Sequence, residues 1–144
     1  MSFDFSDHVP FAEQVRIAAQ ADVLVGMHGA GLTHTLWTPP WAALVELFHC
    51  GDFRCYRNLA ALSGHFYVTG DPDSVIKRRV PAARFLEKPE LWTARAQASH
   101  MNYNYELDVD VVHGLVQATL PHVRSHLLSP HRRHAGRQQR HVEL

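Results

Sequence analysis

The stretch Gly26-Met27-His28-Gly29-Ala30-Gly31-Leu32-Thr33-His34 gathers the residue types with which a backbone holds an anion. Gly29 and Gly31, on either side of Ala30, allow close approach to a bound group and leave several N–H donors uncovered. If Leu32 begins a helix, those donors join the positive end of its dipole, an arrangement that favours a phosphate or diphosphate. Thr33 could add a hydroxyl donor and His28 a second polar contact. The alternative is a tight strand-to-helix turn with no ligand, because a short glycine pair is a motif of low specificity.

Glu46 interrupts the apolar run Leu44-Val45-Glu46-Leu47-Phe48. A carboxylate buried there needs a partner. Two are open: a ribose diol, which donates two hydroxyl hydrogens to one carboxylate, or a structural arginine such as Arg16 or Arg54. His-Gly-Ala-Gly also occurs in the oxyanion loops of lipase-type hydrolases, but those need a G-x-S-x-G elbow and no serine of this chain sits in one. A dinucleotide-binding oxidoreductase would place a third glycine where Thr33 and His34 stand. His122 and His126 lie one helical turn apart, yet they lack the Glu of H-E-x-x-H and a third ligand, so a solvated helix face is expected. Asp71-Pro72-Asp73 and Asp108-Val109-Asp110 have the letters of a metal-binding Asp-x-Asp but fall in a turn and at a helix start. No metal is expected. Cys50 and Cys55 either close a short loop or are two buried thiols.

These residues must be positioned by a small number of elements. Residues 11–21 have Phe11, Val15, Ala18 and Ala19 at helical spacing behind Pro10. Residues 23–27 and 43–48 read as strands buried on both faces, and residues 65–69 as a third. Between them lie a short helix after Leu32, stopped by Pro39-Pro40, and a helix over residues 53–62 that Gly64 can end. Strands alternating with helices predict an α/β, Rossmann-like fold with a parallel sheet, in which ligands sit beyond the carboxyl ends of the strands. Residues 70–104 read as irregular. From Asp108, a plausible N-cap, an apolar stripe runs to Leu127, and Pro121 should kink or break that helix near residue 120. Residues 129–144 read as a basic, flexible tail, leaving 1–128 as the folded unit.

Composition limits the remaining classes. At 144 residues and 46% hydrophobic, the chain can enclose one core. Lysine plus arginine (14) equals aspartate plus glutamate (14), which argues against a nucleic-acid binder. No apolar run approaches the roughly 20 residues of a membrane span.

Asp22 to His34, followed by Trp41-Ala42-Ala43-Leu44-Val45-Glu46-Leu47, resembles the C-terminal half of family 61 glycosyltransferases, most of all the members that modify EGF-like domains. Residues 50–56, residues 58–67 and Asn102-Tyr103-Asn104-Tyr105 extend the resemblance over about residues 11–127. It implies the donor-binding lobe of a two-lobed, inverting, metal-independent GT-B enzyme with no bound cofactor. The donor would be UDP-N-acetylglucosamine and the acceptor a serine or threonine hydroxyl on an EGF-like domain. The resemblance assigns His28, Gly29, Ala30, Gly31, Leu32 and Thr33 to the donor diphosphate and Glu46 to the ribose or its surroundings. It also implies an oxidising lumen in which Cys50 and Cys55 could pair. His141-Val142-Glu143-Leu144 resembles the Lys/His-Asp-Glu-Leu retrieval signal, which points to the endoplasmic reticulum lumen. Full members are several times longer, so the expectation is a fragment whose acceptor surface and catalytic base lie in a missing N-terminal lobe. The rival is a non-catalytic module that binds a nucleotide-sugar or a protein partner.

Overall fold

Three short strands carry the architecture. β1 (Val23–Gly26), β2 (Ala43–Glu46) and β3 (Phe66–Thr69) form a parallel sheet in the order β1-β2-β3, in a computed structural model that describes residues 9–48, 54–99 and 102–128. The register sets Gly26 beside Glu46 and Glu46 beside Thr69, so the last residues of all three strands share one edge. α1 (Phe11–Ala18) precedes β1, an eight-residue 3₁₀ helix (Ala30–Trp37) connects β1 to β2, and α2 (Cys55–Leu62) connects β2 to β3. Gly64 ends α2 in the left-handed region at φ 74°, where glycine alone carries no Cβ penalty. The expected Rossmann-like α/β order is present.

Every residue of β2 is buried, as a central parallel strand requires. Its alternation divides the core in two. Leu44 packs with Leu32, Tyr56 and Ala60 beneath the 3₁₀ helix and α2. Val45 joins Phe48, Val75 and Leu115 on the opposite side, which is covered by α6 (Val109–Leu127). Glu46, two residues after Leu44, therefore belongs to the face of the 3₁₀ helix and α2.

Residues 70–104 are more ordered than their composition suggests. After α3 (Pro72–Val75), β4 (Ile76–Pro81) pairs antiparallel with β5 (Tyr103–Leu107), and α4 (Ala83–Glu87), a 3₁₀ turn (Pro89–Leu91) and α5 (Ala94–Gln97) lie between them. α6 also departs from expectation, because it continues through Pro121 to Leu127. Its start is as anticipated: the Asp108 carboxylate accepts from the amides of Asp110 (2.9 Å) and Val111 (3.1 Å). Proline costs the helix the bond to the Gln117 carbonyl, but Thr119 and Val123 on either side are buried, and this packing holds the helix together. In α1 the buried residues are Gln14 and Ala18, whereas Phe11 is exposed and lies edge-on to Trp37.

A buried imidazole ties β3 to the 3₁₀ helix. Thr35 Oγ1 is 2.9 Å from His65 Nδ1, and the Pro39 carbonyl accepts from the same ring. Burial, reinforced by the nearby His122, holds His65 below the usual histidine range, so the folded chain prefers the neutral ring. The unfolded state then binds the proton more readily. Stability should be fully present above the ordinary histidine value of about 6.5 and be lost as pH falls below it. Urea unfolding of the wild type and of His65→Gln should show a shallower acid loss in the variant.

Candidate functional site

The carboxyl edge of the sheet holds a hydrogen-bonded cluster built from β1, β2 and β3. Glu46, the last residue of β2, is fully buried. His28, two residues beyond β1, has Nδ1 2.5 Å from Glu46 Oε1. The Tyr67 hydroxyl on β3 donates to Glu46 Oε2, also at 2.5 Å. Tyr67 reaches the carboxylate because the β2–β3 register places it beside Leu44, on the same face as Glu46. The Tyr56 ring of α2 meets the His28 ring edge-on at a centroid distance of 5.0 Å. Burial and the bond to Glu46 hold the Tyr67 phenol far above its usual range. Burial, then the charges of Cys55 and Glu46, raise Tyr56 as well.

Within the described chain, His28 and Tyr67 each bond one oxygen of Glu46, and Arg16 is engaged with Glu13 at 2.5 Å. A carboxylate that grips Nδ1 leaves Nε2 as the working atom of the imidazole. His28 is 23% exposed, and its Nε2 has no hydrogen bond to a described residue.

The loop that follows His28 divides into residues that can meet a ligand and residues the fold consumes. The 3₁₀ helix begins at Ala30, and its first bond runs from the Leu32 amide to the Gly29 carbonyl at 3.0 Å. The amides of Ala30 and Gly31 therefore precede the ladder and donate to nothing in it. The Leu32 amide is used in that first bond and its side chain lies in the core. The Thr33 hydroxyl donates to the Ala30 carbonyl at 2.6 Å. His34 turns toward α1, with Nδ1 3.0 Å from the Gly31 carbonyl and its ring tilted against Trp37.

The glycines divide the same way. A Cβ on Gly26 would lie 2.8 Å from Leu32 Cδ2, so packing explains that residue. Gly29 has an extended backbone at φ 165°, and its Cβ would meet nothing closer than the Met27 oxygen at 3.9 Å. Neither conformation nor packing requires glycine there, and its bare backbone leaves the loop amides uncovered.

His122 and His126 do not form a uniformly solvated face. His122 stacks on Phe66 at 5.2 Å, and burial lowers it below the usual histidine range, whereas His126 is exposed. Among the described residues, no three His, Cys, Asp or Glu side chains are grouped as a metal would need. No helix of the described residues is long and apolar enough to cross a membrane. Cys55 is a free, exposed thiol at the start of α2; Cys50 lies outside the described residues, as do the tail and His141-Val142-Glu143-Leu144. Sequence reasoning missed Tyr67 and Tyr56. A polar-tipped Tyr67 in the strand that pairs with the carboxylate-bearing one is the signal that could have found the first.

Residues 2–45 match the family model for glycosyltransferase 61. The chain is related to the family 61 glycosyltransferases. It is 38% identical over 117 residues to the rat EGF domain-specific O-linked N-acetylglucosamine transferase, covering 81% of this chain and 20% of the rat protein. It is 36% identical over 118 residues to the Drosophila melanogaster protein of that name, covering 81% of this chain and 21% of the relative. Against the bovine one it is 56% identical over a 59-residue segment, which covers 41% of this chain and 11% of the relative. The chain thus spans between about a tenth and a fifth of the length of these relatives. The family match includes His28 and the loop amides and stops one residue before Glu46.

Proposed function

We propose that this chain is the donor-binding part of an inverting glycosyltransferase that moves N-acetylglucosamine from UDP-N-acetylglucosamine to serine or threonine hydroxyls of EGF-like domains in the endoplasmic reticulum lumen. The observation that carries this reading is the similarity to transferases of that name along 81% of the chain. The site is consistent with it: two unladdered amides, at Ala30 and Gly31, and a partly exposed imidazole lie in one loop at the carboxyl edge of a parallel sheet.

In that reaction the acceptor oxygen attacks the anomeric carbon, the bond from that carbon to the diphosphate breaks, and the electron pair leaves on the diphosphate. The Ala30 and Gly31 amides and His28 would meet the growing negative charge, and fixed donors help most where charge develops. The acceptor surface and the base are assigned to a further lobe. A second reading is a nucleotide-sugar-binding module without turnover.

Calorimetric titration of the full chain with UDP, UDP-N-acetylglucosamine and NAD tests both. UDP and the nucleotide-sugar should bind and NAD should not. His28→Gln should weaken UDP about tenfold, the loss of one charge-assisted bond. Incubation with a folded EGF-like domain and the donor separates an active transferase from a binding module.

A further inference from the structure

We propose that Tyr67 and Glu46 are positioning residues for nucleotide binding: together they fix the rotation of the His28 ring, and with it the edge that carries Nε2, in the loop of the Ala30 and Gly31 amides. The inference rests on the reading given under Proposed function and adds to it the residues that aim one of its contacts.

An imidazole has two rotations about its Cβ–Cγ bond that fill nearly the same space and exchange nitrogen for carbon at both edges. Only one of them sets Nδ1 against Glu46 Oε1, at 2.5 Å, and the same choice fixes where Nε2 lies. A hydrogen stands between Nδ1 and Oε1 whichever atom it is assigned to, so the bond holds the ring in either case. Freed of that bond, the ring would offer a ligand carbon as readily as nitrogen. The Tyr56 ring, edge-on at 5.0 Å, does not replace it: an aromatic contact restrains the tilt of the imidazole but accepts both rotations.

The bond is only as fixed as the carboxylate that makes it. A glutamate tied at one oxygen turns about its last side-chain bond, where the torsional preference is broad. Glu46 is tied at both, because the Tyr67 hydroxyl donates to Oε2 at 2.5 Å. The phenol is in turn mounted on the frame of the fold. Its strand pairs with β2 in a register that sets Tyr67 beside Leu44, and its ring packs against Leu32, Leu44, Tyr56 and Ala60. Glu46 has no exposed surface, whereas His28 is 23% exposed. The alignment therefore passes from β3 through a buried carboxylate to a ring that borders solvent, as an outer partner orients a histidine that does the binding.

The test is a double-variant cycle on the UDP affinity of the full chain, read by calorimetry. Tyr67→Phe removes the bond to Oε2 and keeps the aromatic ring in its cluster. It should weaken UDP about threefold, the worth of one neutral hydrogen bond. In a His28→Ala background the same change should weaken UDP no further, because the atom it positions is gone. A residue that only supports the fold would give the same loss with and without His28. Imidazole nitrogen NMR of the wild type and of Tyr67→Phe needs no substitution at His28. The wild type should show a hydrogen on the Nδ1–Oε1 bond protected from exchange with water, and Tyr67→Phe should lose that signal while the backbone amide spectrum stays folded. Equal UDP affinity for Tyr67→Phe and wild type, a loss that persists in full without His28, or a ring signal that survives in Tyr67→Phe overturns the inference and leaves the donor-binding reading standing. A wild-type chain that binds no UDP overturns both.

Discussion

Replacing His28 with alanine is expected to destabilise the folded chain by about 3 kcal/mol, even though the ring borders an accessible site. The loss comes from what the substitution leaves behind. Glu46 has no exposed surface, and without the imidazole its Oε1 has no described partner; Tyr67 satisfies Oε2 alone. Breaking a buried pair by removing one member costs more than the pair itself contributes, since the survivor stays desolvated. The double variant His28→Ala/Glu46→Gln should regain more than half of the loss, because a neutral amide needs no counter-charge. Urea denaturation of the wild type, both single variants and the double variant closes the cycle. A His28→Ala protein as stable as the wild type would mean that the His28–Glu46 bond contributes nothing to the fold.

Gly70→Ala is expected to cost about as much, for an unrelated reason: the position has no room. A Cβ there would sit 2.4 Å from Val75 Cγ2, 2.6 Å from the Leu47 carbonyl oxygen and 3.0 Å from Leu115 Cδ1. Side-chain ends can turn away, but the Leu47 carbonyl belongs to the backbone directly after β2, and moving it disturbs the central strand. A penalty of about 3 kcal/mol is a large part of the 5–15 kcal/mol that typically holds a domain folded. Gly29→Ala supplies the control. With 3.9 Å to its nearest neighbour and an extended backbone, it should leave the denaturation midpoint nearly unchanged. Equal midpoints for Gly70→Ala and wild type would show that α3 and α6 can shift to admit a methyl group.

The residues that announced themselves in the sequence were those whose surroundings are set locally. Leu44 and Val45 read as a buried strand because a central parallel strand is apolar on both faces; β1, read the same way, lies at the sheet edge and leaves Val25 exposed. Asp108 read as a cap because its donors are the amides two and three residues ahead. What stayed hidden depends on distant register. Lys77, Arg78 and Arg79 disguise β4, which pairs with β5 more than twenty positions later and leaves those charged side chains exposed. Glu46 was recognised as needing a partner, but His28 and Tyr67 lie 18 and 21 residues away in opposite chain directions. Only the order β1-β2-β3 brings both to it. Likewise Thr33 has the composition of an anion ligand, and a single turn of 3₁₀ geometry redirects its hydroxyl to a carbonyl.

β2 is four residues long and separates two packed layers, with Leu44 and Glu46 turned one way and Val45 the other. A strand this short has no slack to absorb a displacement before passing it on. Any repacking behind it, at Phe48, Val75 or Leu115, moves the plank on which the carboxylate is mounted, and the imidazole moves with it. The rear layer of this chain thus tunes the alignment of its front edge, and the two cannot diversify independently.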